Sequence, residues 1–216
     1  MTNTEKERQK AITTAGNPAR PTGEAGTQML ERMNKSHAAL TAWGLSYFQW
    51  YGNETVLDIG CGGGANLHRM SAHITTGHLT GVDYSATSVQ TSRQTNADDI
   101  ADGKMTLCEG SVEALPFADS TFDKITTVES FYFWPNPPEN LKEVRRVLKP
   151  GGTFLLIAEI YGHDGLSAEV RENIERYHLY NPTPETFEAI FHDAGFSSVQ
   201  VHIEKDHRWI CVEGKK

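Results

Sequence analysis

The sequence has 216 residues, a length that predicts one medium-sized domain with an appendage. Hydrophobic residues make up 38% of it and charged residues 22%, which is an ordinary globular composition and excludes collagen-like, fibrous and wholly disordered chains. The formal net charge of -8 at pH 7 argues against a broad basic face that would hold a nucleic-acid backbone.

Cysteine usage and the N-terminal sequence bear on the cellular compartment. Cys61, Cys108 and Cys211 are widely spaced and form no CxxC pair, so neither a disulfide framework nor a zinc knuckle is predicted. The first ten residues carry charges of both signs and no apolar run, unlike a secretory signal. No apolar stretch approaches the ~20 residues of a membrane span. We therefore expect a cytoplasmic protein without a membrane span.

The N-terminal part of the chain is polar before it becomes apolar. Residues 1–27 are rich in threonine and interrupted by glycine and proline, which predicts a flexible tail. The remainder, residues 28–216, is expected to form a single domain. Its first part, about residues 28–51, has apolar residues at steps of three and four, which predicts a helical cap.

Beyond the cap, short apolar strands alternate with helical patterns. The predicted strands are residues 55–59, 79–82, 104–108, 124–128 and 153–158. The predicted helices are residues 65–72, a helix that begins at the N-cap Ser85 and ends at residue 100, and residues 138–148. Strands that alternate with helices at this interval predict βαβ units, a parallel sheet and helices on both faces.

The C-terminal part departs from this alternation. Thr183 and Pro184 predict the start of a helix and Gly195 its end. Residues 199–203 and 208–212 then alternate as two strands with a short turn between them, which predicts an antiparallel pair. The predicted fold class is α/β, a Rossmann-like three-layer sandwich with a seven-stranded, mostly parallel sheet and an antiparallel C-terminal strand.

A glycine loop follows the first predicted strand. Gly60, Gly62 and Gly64 lie between that strand and the next helix. Glycines let the backbone turn sharply and approach a ligand, and the helix N-terminus presents free amides. Because ligands of open α/β sheets bind at the carboxyl ends of the strands, the loop predicts a site for a nucleoside or a dinucleotide.

The dinucleotide interpretation rests on a looser match of the same loop. Gly60-x-Gly62-x-x-Ala65 satisfies that fingerprint, and Asp83 lies about 20 residues further on, where a ribose-binding carboxylate belongs. An NAD-dependent oxidoreductase is therefore an alternative. Asp58 weighs against it, because a carboxylate beside a diphosphate is unfavourable, whereas it suits a ligand that carries an ammonium group.

Several motifs in order resemble those of the class I S-adenosylmethionine-dependent methyltransferases, in particular the small-molecule branch similar to ubiquinone and menaquinone methyltransferases. The matching motifs are the acidic glycine loop (58–64), the second-strand carboxylate (Asp83), the adenine loop (110–117), the start of the fourth strand (122–123) and the approach to the fifth (148–152). The resemblance covers nearly everything after residue 27.

The resemblance implies S-adenosylmethionine as cofactor and S-adenosylhomocysteine as product. The residues it assigns to the cofactor are Asp58, Gly60, Gly62, Gly64, Asp83, Tyr84, Ser111, Val112, Glu113 and Glu129. Among them, Asp83 would bind the ribose hydroxyls, Tyr84 would lie against the adenine, and Glu129 would face the methionine ammonium or the acceptor. One departure is Ser111, where relatives often carry an aspartate.

The implied reaction is in-line transfer of a methyl group to a small-molecule acceptor, in which positioning supplies most of the catalysis. A base is needed only where the acceptor must lose a proton, and the candidates are Glu129, Tyr132 and His163. His163 lies in a possible substrate lid over about residues 160–182. No HExxH spacing occurs, so a metal is not expected. A non-catalytic nucleoside-binding protein is a second alternative, and the oligomeric state is left open.

Two further features allow a plain packing interpretation. Phe131 and Phe133 are expected in the core, whereas Tyr132 and Trp134 fit the core and a wall of the acceptor site about equally well. Cys61 lies next to a helix N-terminus, where a thiolate would be favoured, but we expect it to act as a small packing residue.

Overall fold

A seven-stranded sheet organises the structure, a computed structural model that describes residues 3–216. The strands are β1 (Thr55–Ile59), β2 (His78–Asp83), β3 (Met105–Glu109), β4 (Phe122–Val128), β5 (Leu148–Ala158), β6 (Ser198–Glu204) and β7 (Trp209–Lys215). The helices are α1 (Asn3–Gly16), α2 (Gly23–Ser36), α3 (Ala38–Leu45), α4 (Ala65–Ser71), α5 (Ala86–Thr95), α6 (Ala97–Ala101), α7 (Pro137–Val147), α8 (Ala168–Tyr177) and α9 (Pro184–Asp193). A single 3-10 turn, Phe131–Phe133, follows β4.

The strands lie in the order β3-β2-β1-β4-β5-β7-β6. Strands β1 to β5 pair in parallel, and β7 runs antiparallel to both of its neighbours, β5 and β6. Only residues 205–208 separate β6 from β7, which is too short for the crossover that a parallel pair needs. The predicted fold class is therefore confirmed.

Apolar side chains cover both faces of the sheet. Along β5, Phe154 and Leu156 face one core with α7 and α9, and Leu155 and Ile157 face a second core with α3, α4 and α5. All four side chains are at most 1% exposed. Successive residues of a strand point to opposite faces, so an unbroken apolar run is the pattern of a strand buried on both sides.

The helix expected between residues 85 and 100 is two helices. Its predicted N-cap is confirmed, because the Ser85 hydroxyl accepts a hydrogen bond from the Ser88 amide. Asn96 separates α5 from α6, and its side-chain amide donates to the carbonyl oxygens of Ser92 and Gly64, at 2.9 and 3.1 Å. An asparagine whose amide bonds to backbone carbonyls in this way favours a break in the helix.

The N-terminal residues differ from the flexible tail that composition predicts. Residues 3–16 form α1, which packs on α2, and Met29 of α2 is fully buried. The linker between these helices is also fixed, because the Ser85 hydroxyl donates to the Pro21 carbonyl at 2.5 Å. Residues 1 and 2 of the expected tail lie outside the described part. Tertiary packing overrides local composition here, since a few apolar residues suffice when the neighbouring surface covers them.

The predicted cap region contains most of α2 and all of α3. His37 lies between the two helices, as the C-cap of α2 and the N-cap of α3. Among the described helices, none has both the length and the apolar character that crossing a membrane requires.

Candidate active site

A cavity of about 330 Å³ lies at the carboxyl ends of β1, β2 and β4. Asp58, Asp83 and Glu129 are the acidic residues that these strand ends bring to its wall. The opposite walls come from the linker before α2, from α2 itself and from residues 133–135. This is the position at which open α/β sheets bind ligands.

Backbone hydrogen bonds fix the glycine loop against the end of β2. The amides of Gly60 and Cys61 both donate to the Val82 carbonyl, at 2.8 and 3.1 Å. A side chain does not fit at Gly60, because a Cβ there would lie 2.1 Å from the Ser130 hydroxyl oxygen. Gly62 has a φ of +52°, in the region that favours glycine, and lines the cavity.

Gly64 differs from the other residues that the resemblance assigns to the cofactor. The other nine line the cavity, and Gly64 does not. A Cβ at Gly64 would lie 2.4 Å from the side chains of Ser92 and Asn96. The glycine therefore lets the start of α4 pack closely against α5.

Asp58 is a buried carboxylate with one unsatisfied oxygen. Its side chain is 1% exposed, and Oδ1 accepts hydrogen bonds from Thr126 Oγ1 at 2.7 Å and Asn66 Nδ2 at 2.8 Å. Oδ2 has no hydrogen-bond partner. Burial raises the pKa of Asp58 to about 7, although the two hydrogen bonds oppose the rise. A cationic donor at this wall of the cavity would satisfy the carboxylate.

Asp83 connects the end of β2 to the glycine loop. Oδ2 accepts from the Gly62 amide at 3.0 Å, and Oδ1 accepts from the Ser85 amide at 2.9 Å. Burial raises the pKa of Asp83 above its ordinary value. The neighbouring Tyr84 is 41% exposed, and the Arg20 guanidinium lies 5.6 Å from its ring centroid. Each carboxylate oxygen of Asp83 can still accept a further hydrogen bond from a ligand hydroxyl.

The predicted adenine loop lies beside this pair. Ser111, Val112 and Glu113 all line the cavity. The Ser111 hydroxyl accepts from the Glu113 amide and donates to the Glu113 carboxylate, both at 3.2 Å. The Ser111 hydroxyl already forms hydrogen bonds within this turn. The backbone of Val112 is therefore better placed to form a hydrogen bond with a flat heterocycle.

Glu129 follows β4 directly and has a backbone φ of +53°, an uncommon conformation for a residue with a side chain. Its Oε1 accepts from the Glu159 amide at 2.5 Å, and its Oε2 accepts from the Tyr132 hydroxyl at 2.8 Å. Burial raises the pKa of Glu129 to about 7. Tyr132 itself is buried behind Glu129 and does not line the cavity. Of these two predicted candidates, only Glu129 faces the cavity.

His163 lies away from the cavity. Its Nδ1 accepts from the Gly165 amide at 3.0 Å, and its ring lies 4.7 Å from the Tyr161 ring. Within the described chain, no residue of the expected lid at 160–182 lines the cavity. The end of that segment packs behind β4 instead, where the Tyr180 amide donates to the Tyr132 carbonyl. The structure therefore does not support His163 as a base.

The aromatic residues after β4 divide between the core and the cavity. Phe131 is 2% exposed and belongs to the core, as expected. Phe133 differs from expectation, because it lines the cavity together with Trp134. Cys61 also lines the cavity, but burial raises its pKa well above the ordinary value, so the thiol is protonated and unsuited to act as a nucleophile.

Sequence reasoning missed the wall that the N-terminal residues supply. Its members are Pro18, Ala19, Pro21, Leu30, Met33, Asn34, His37 and Thr41. The helical spacing of Leu30, Met33 and His37 was a usable signal, since it placed them on one face of a helix. The sequence did not show that this face covers a ligand site instead of an apolar core.

One compact group of possible metal ligands occurs among the described residues. One ligand atom each from His37, Glu129 and Glu159 lies within 4.8 Å of the others. Both oxygens of Glu129 already accept hydrogen bonds from the protein. All three groups are titratable, so the cluster can also hold a proton.

Comparison with known proteins decides the family. Residues 57–156 match the family model described as "Methyltransferase domain". The relatives include named methyltransferases, and solved structures with this fold contain S-adenosylhomocysteine. The chain belongs to the class I S-adenosylmethionine-dependent methyltransferases. The dinucleotide alternative requires a second parallel mononucleotide-binding half, whereas β7 runs antiparallel to β5 in this chain.

A curated relative of the chain is 2-methyl-6-phytyl-1,4-hydroquinone methyltransferase 1 of rice, Oryza sativa subsp. japonica. It is 30% identical over 146 residues, which cover 68% of this chain and 42% of the relative. The chain spans between 39% and 42% of the length of the first curated relatives it matches.

Two solved structures show the same fold. A methyltransferase of Aquifex aeolicus has a TM-score of 0.68 and 19% identity, and the match covers 87% of this chain and 97% of that one. An N-methyltransferase of Haemonchus contortus, in complex with phosphomonomethylethanolamine and S-adenosylhomocysteine, has a TM-score of 0.76 and 15% identity, over 89% of this chain and 58% of that one.

S-adenosylmethionine is the cofactor of this family, and the residues at the cavity fit it. The unpaired Oδ2 of Asp58 meets the requirement of an ammonium group. Asp83 stands at the end of β2, where a carboxylate can accept from ribose hydroxyls. The exposed ring of Tyr84 offers a flat surface beside it.

Proposed function

We propose that the protein transfers the methyl group of S-adenosylmethionine to a small-molecule acceptor by in-line displacement. The observation that carries this proposal is the pair of buried carboxylates beside the glycine loop. Asp58 has an oxygen without a partner, and Asp83 fixes the Gly62 amide and borders the same cavity. Acidic groups at these two strand ends suit a ligand with an ammonium at one end and a ribose beside it.

When bound, S-adenosylmethionine supplies an electrophilic methyl group on a sulfonium centre. The contribution of the chain is positioning, which can supply most of the rate of such a displacement. Asp58 holds the ammonium, Asp83 holds the ribose, and the turn around Val112 borders the adenine. Phe133 and Trp134 form an apolar wall that excludes water from the acceptor side.

Several observations support a small acceptor. The cavity of about 330 Å³ must hold the acceptor together with part of the cofactor. The relatives and structural neighbours described above carry names that refer to a hydroquinone and to phosphomonomethylethanolamine, both small molecules. The net charge of -8 does not favour a nucleic-acid acceptor. The three cysteines are free, which supports a reducing, cytoplasmic location as part of the proposal.

The first experiment compares ligands by thermal shift and then measures turnover. A ligand at 100 times its Kd adds ~2.7 kcal/mol, which is a shift of roughly 5 to 11 °C for a protein of this size. We expect S-adenosylmethionine and S-adenosylhomocysteine to raise the Tm, and NADH and ATP not to. A shift with NADH alone would instead favour an oxidoreductase.

Turnover separates an enzyme from a nucleoside-binding protein. Formation of S-adenosylhomocysteine is measured with a panel of phenols, hydroquinones, aliphatic alcohols and amines. The proposal expects product with at least one class above the acceptor-free background. Tight binding of S-adenosylhomocysteine without product in any class would favour the non-catalytic alternative.

A further inference from the structure

His37 lies at the cavity although the cofactor motifs do not include it. It occupies the break between α2 and α3, so the backbone on both sides is fixed by a helix. Its Nε2 lies 3.8 Å from Glu129 Oε2, across the cavity wall that both residues line. The pair thus joins the N-terminal cap to the end of β4.

The carboxylate of this pair is held in one orientation. The Glu159 amide and the Tyr132 hydroxyl donate to its two oxygens, and the left-handed backbone of Glu129 directs the side chain there. Uncommon backbone conformations of this kind concentrate at functional sites. Glu129 is therefore placed to support a charge on the His37 ring.

The charges around His37 come from three elements. Burial lowers its pKa below the ordinary value, Arg32 of α2 lowers it further, and Glu159 after β5 raises it. Glu129, after β4, faces the same ring. The histidine is consequently neutral near pH 7 and has a nitrogen free to accept a proton.

We propose that His37 is the proton acceptor of the methyl-transfer reaction, that Glu129 is its positioning residue, and that the acceptor molecule is a phenol or an alcohol. This inference rests on the proposed function. As the oxygen–methyl bond forms and the carbon–sulfur bond breaks, the hydroxyl proton moves to the unprotonated nitrogen of His37. The electron pair of the broken bond stays on the sulfur.

The carboxylates favour the transition state over the ground state. The ring is neutral before the transfer and becomes cationic beside Glu129 and Glu159 as the proton arrives, so the attraction grows along the reaction. A neutral amine attacks with its own lone pair and needs no such base. A histidine backed by two carboxylates therefore points to an acceptor that must lose a proton, as a hydroxyl does.

The kinetic test uses His37→Gln, with His163→Gln as the matched control outside the cavity. With methylhydroquinone as acceptor, we expect His37→Gln to lower kcat by about 10²–10⁴-fold. With 4-nitrophenol at a mildly alkaline pH, where this phenol is already ionised, the variant should keep the wild-type rate. Equal losses with both phenols, or no loss with methylhydroquinone, would overturn the assignment.

Binding separates this inference from the proposed function. Calorimetry should give the same affinity for S-adenosylhomocysteine in wild type, His37→Gln and His163→Gln. If wild type binds this ligand and methylates only amines, the inference fails and the proposed function stands. If wild type does not bind it, the proposed function itself fails. A rate that EDTA abolishes and Mg²⁺ restores would assign His37 to a metal and also overturn the inference.

An NMR titration tests the pair without any acceptor. The pKa of the His37 ring is measured in the complex with S-adenosylhomocysteine for wild type, Glu129→Gln and Glu159→Gln. Glu159→Gln removes a carboxylate that raises the His37 pKa, so it should lower that pKa, whereas Glu129→Gln should change it little, because Glu129 has a pKa of about 7 and is mostly protonated where His37 titrates. A His37 pKa that moves in neither variant would overturn the proposal.

Discussion

Protonation of Asp58 should couple cofactor binding to pH. The free protein holds Asp58 at a pKa of about 7, because the carboxylate is buried and its Oδ2 has no partner. An ammonium group binds the ionised form, so the proton must leave when the ligand binds below pH 7. Each pKa unit corresponds to about 1.36 kcal/mol, and the Kd of S-adenosylhomocysteine should therefore rise about tenfold between pH 8 and pH 6.

Asp58→Asn removes this titration and keeps the shape of the side chain. Its carbonyl oxygen can still accept from Thr126 and Asn66, which hold Oδ1 in the wild type. We expect binding at pH 8 to weaken by about 1.5–3 kcal/mol, which is ~10- to 150-fold, and the pH dependence to flatten. Titration calorimetry in buffers of different ionisation enthalpy should show release of about one proton per ligand at pH 6 in wild type only.

Glu129 is the necessary control, because burial raises its pKa to about 7 as well. Glu129→Gln should leave the pH dependence of S-adenosylhomocysteine binding unchanged. A dependence that persists in Asp58→Asn and disappears in Glu129→Gln would refute the reasoning and assign the ammonium to Glu129.

Three further predictions concern the same cavity. Asp83→Ala should weaken S-adenosylhomocysteine binding by about 1.5–3 kcal/mol through loss of a charge-assisted ribose contact, and unchanged affinity in a calorimetric titration would contradict that contact. Gly62→Val should abolish S-adenosylhomocysteine binding. The control Gly103→Val, also at a positive φ but away from the cavity, should lose comparable stability and bind this ligand normally. Equal binding by both variants would place the ligand elsewhere. Without ligand at pH 8, Asp58→Asn should raise the free energy of unfolding by on the order of 1 to 4 kcal/mol and therefore raise the Tm. The reason is that the wild-type carboxyl, with its raised pKa, loses its stabilising proton as the pH rises from about 4 to 7. A Tm lower than that of the wild type would contradict this prediction.

Local signals predicted the sheet well. The bounds of β1 coincide with prediction, because a short apolar run ends at a glycine that no other residue could replace beside Ser130. The antiparallel pair β6–β7 was also predictable from the short turn between two alternating strands. In these places the fold depends on residues that are neighbours in the sequence.

Other features depend on partners far along the chain. Asn96 divides the expected helix by bonding to Gly64, and Gly64 packs on α5 instead of lining the cavity. From the sequence alone, His37 is one residue on the apolar face of the predicted helical cap. Only the folded chain brings it close to Glu129. Periodicity reports which face of a helix is covered, but it does not report what covers it.

The N-terminal residues that close the cavity affect how this protein should be produced. Composition suggests trimming the chain to begin at Gln28, and the family match covers only residues 57–156. Either shortened chain would discard Pro18 and Pro21 from the cavity wall, and removing α1 would uncover the apolar surface around Met29. The residues that line the cavity therefore extend well beyond the segment by which the family is recognised.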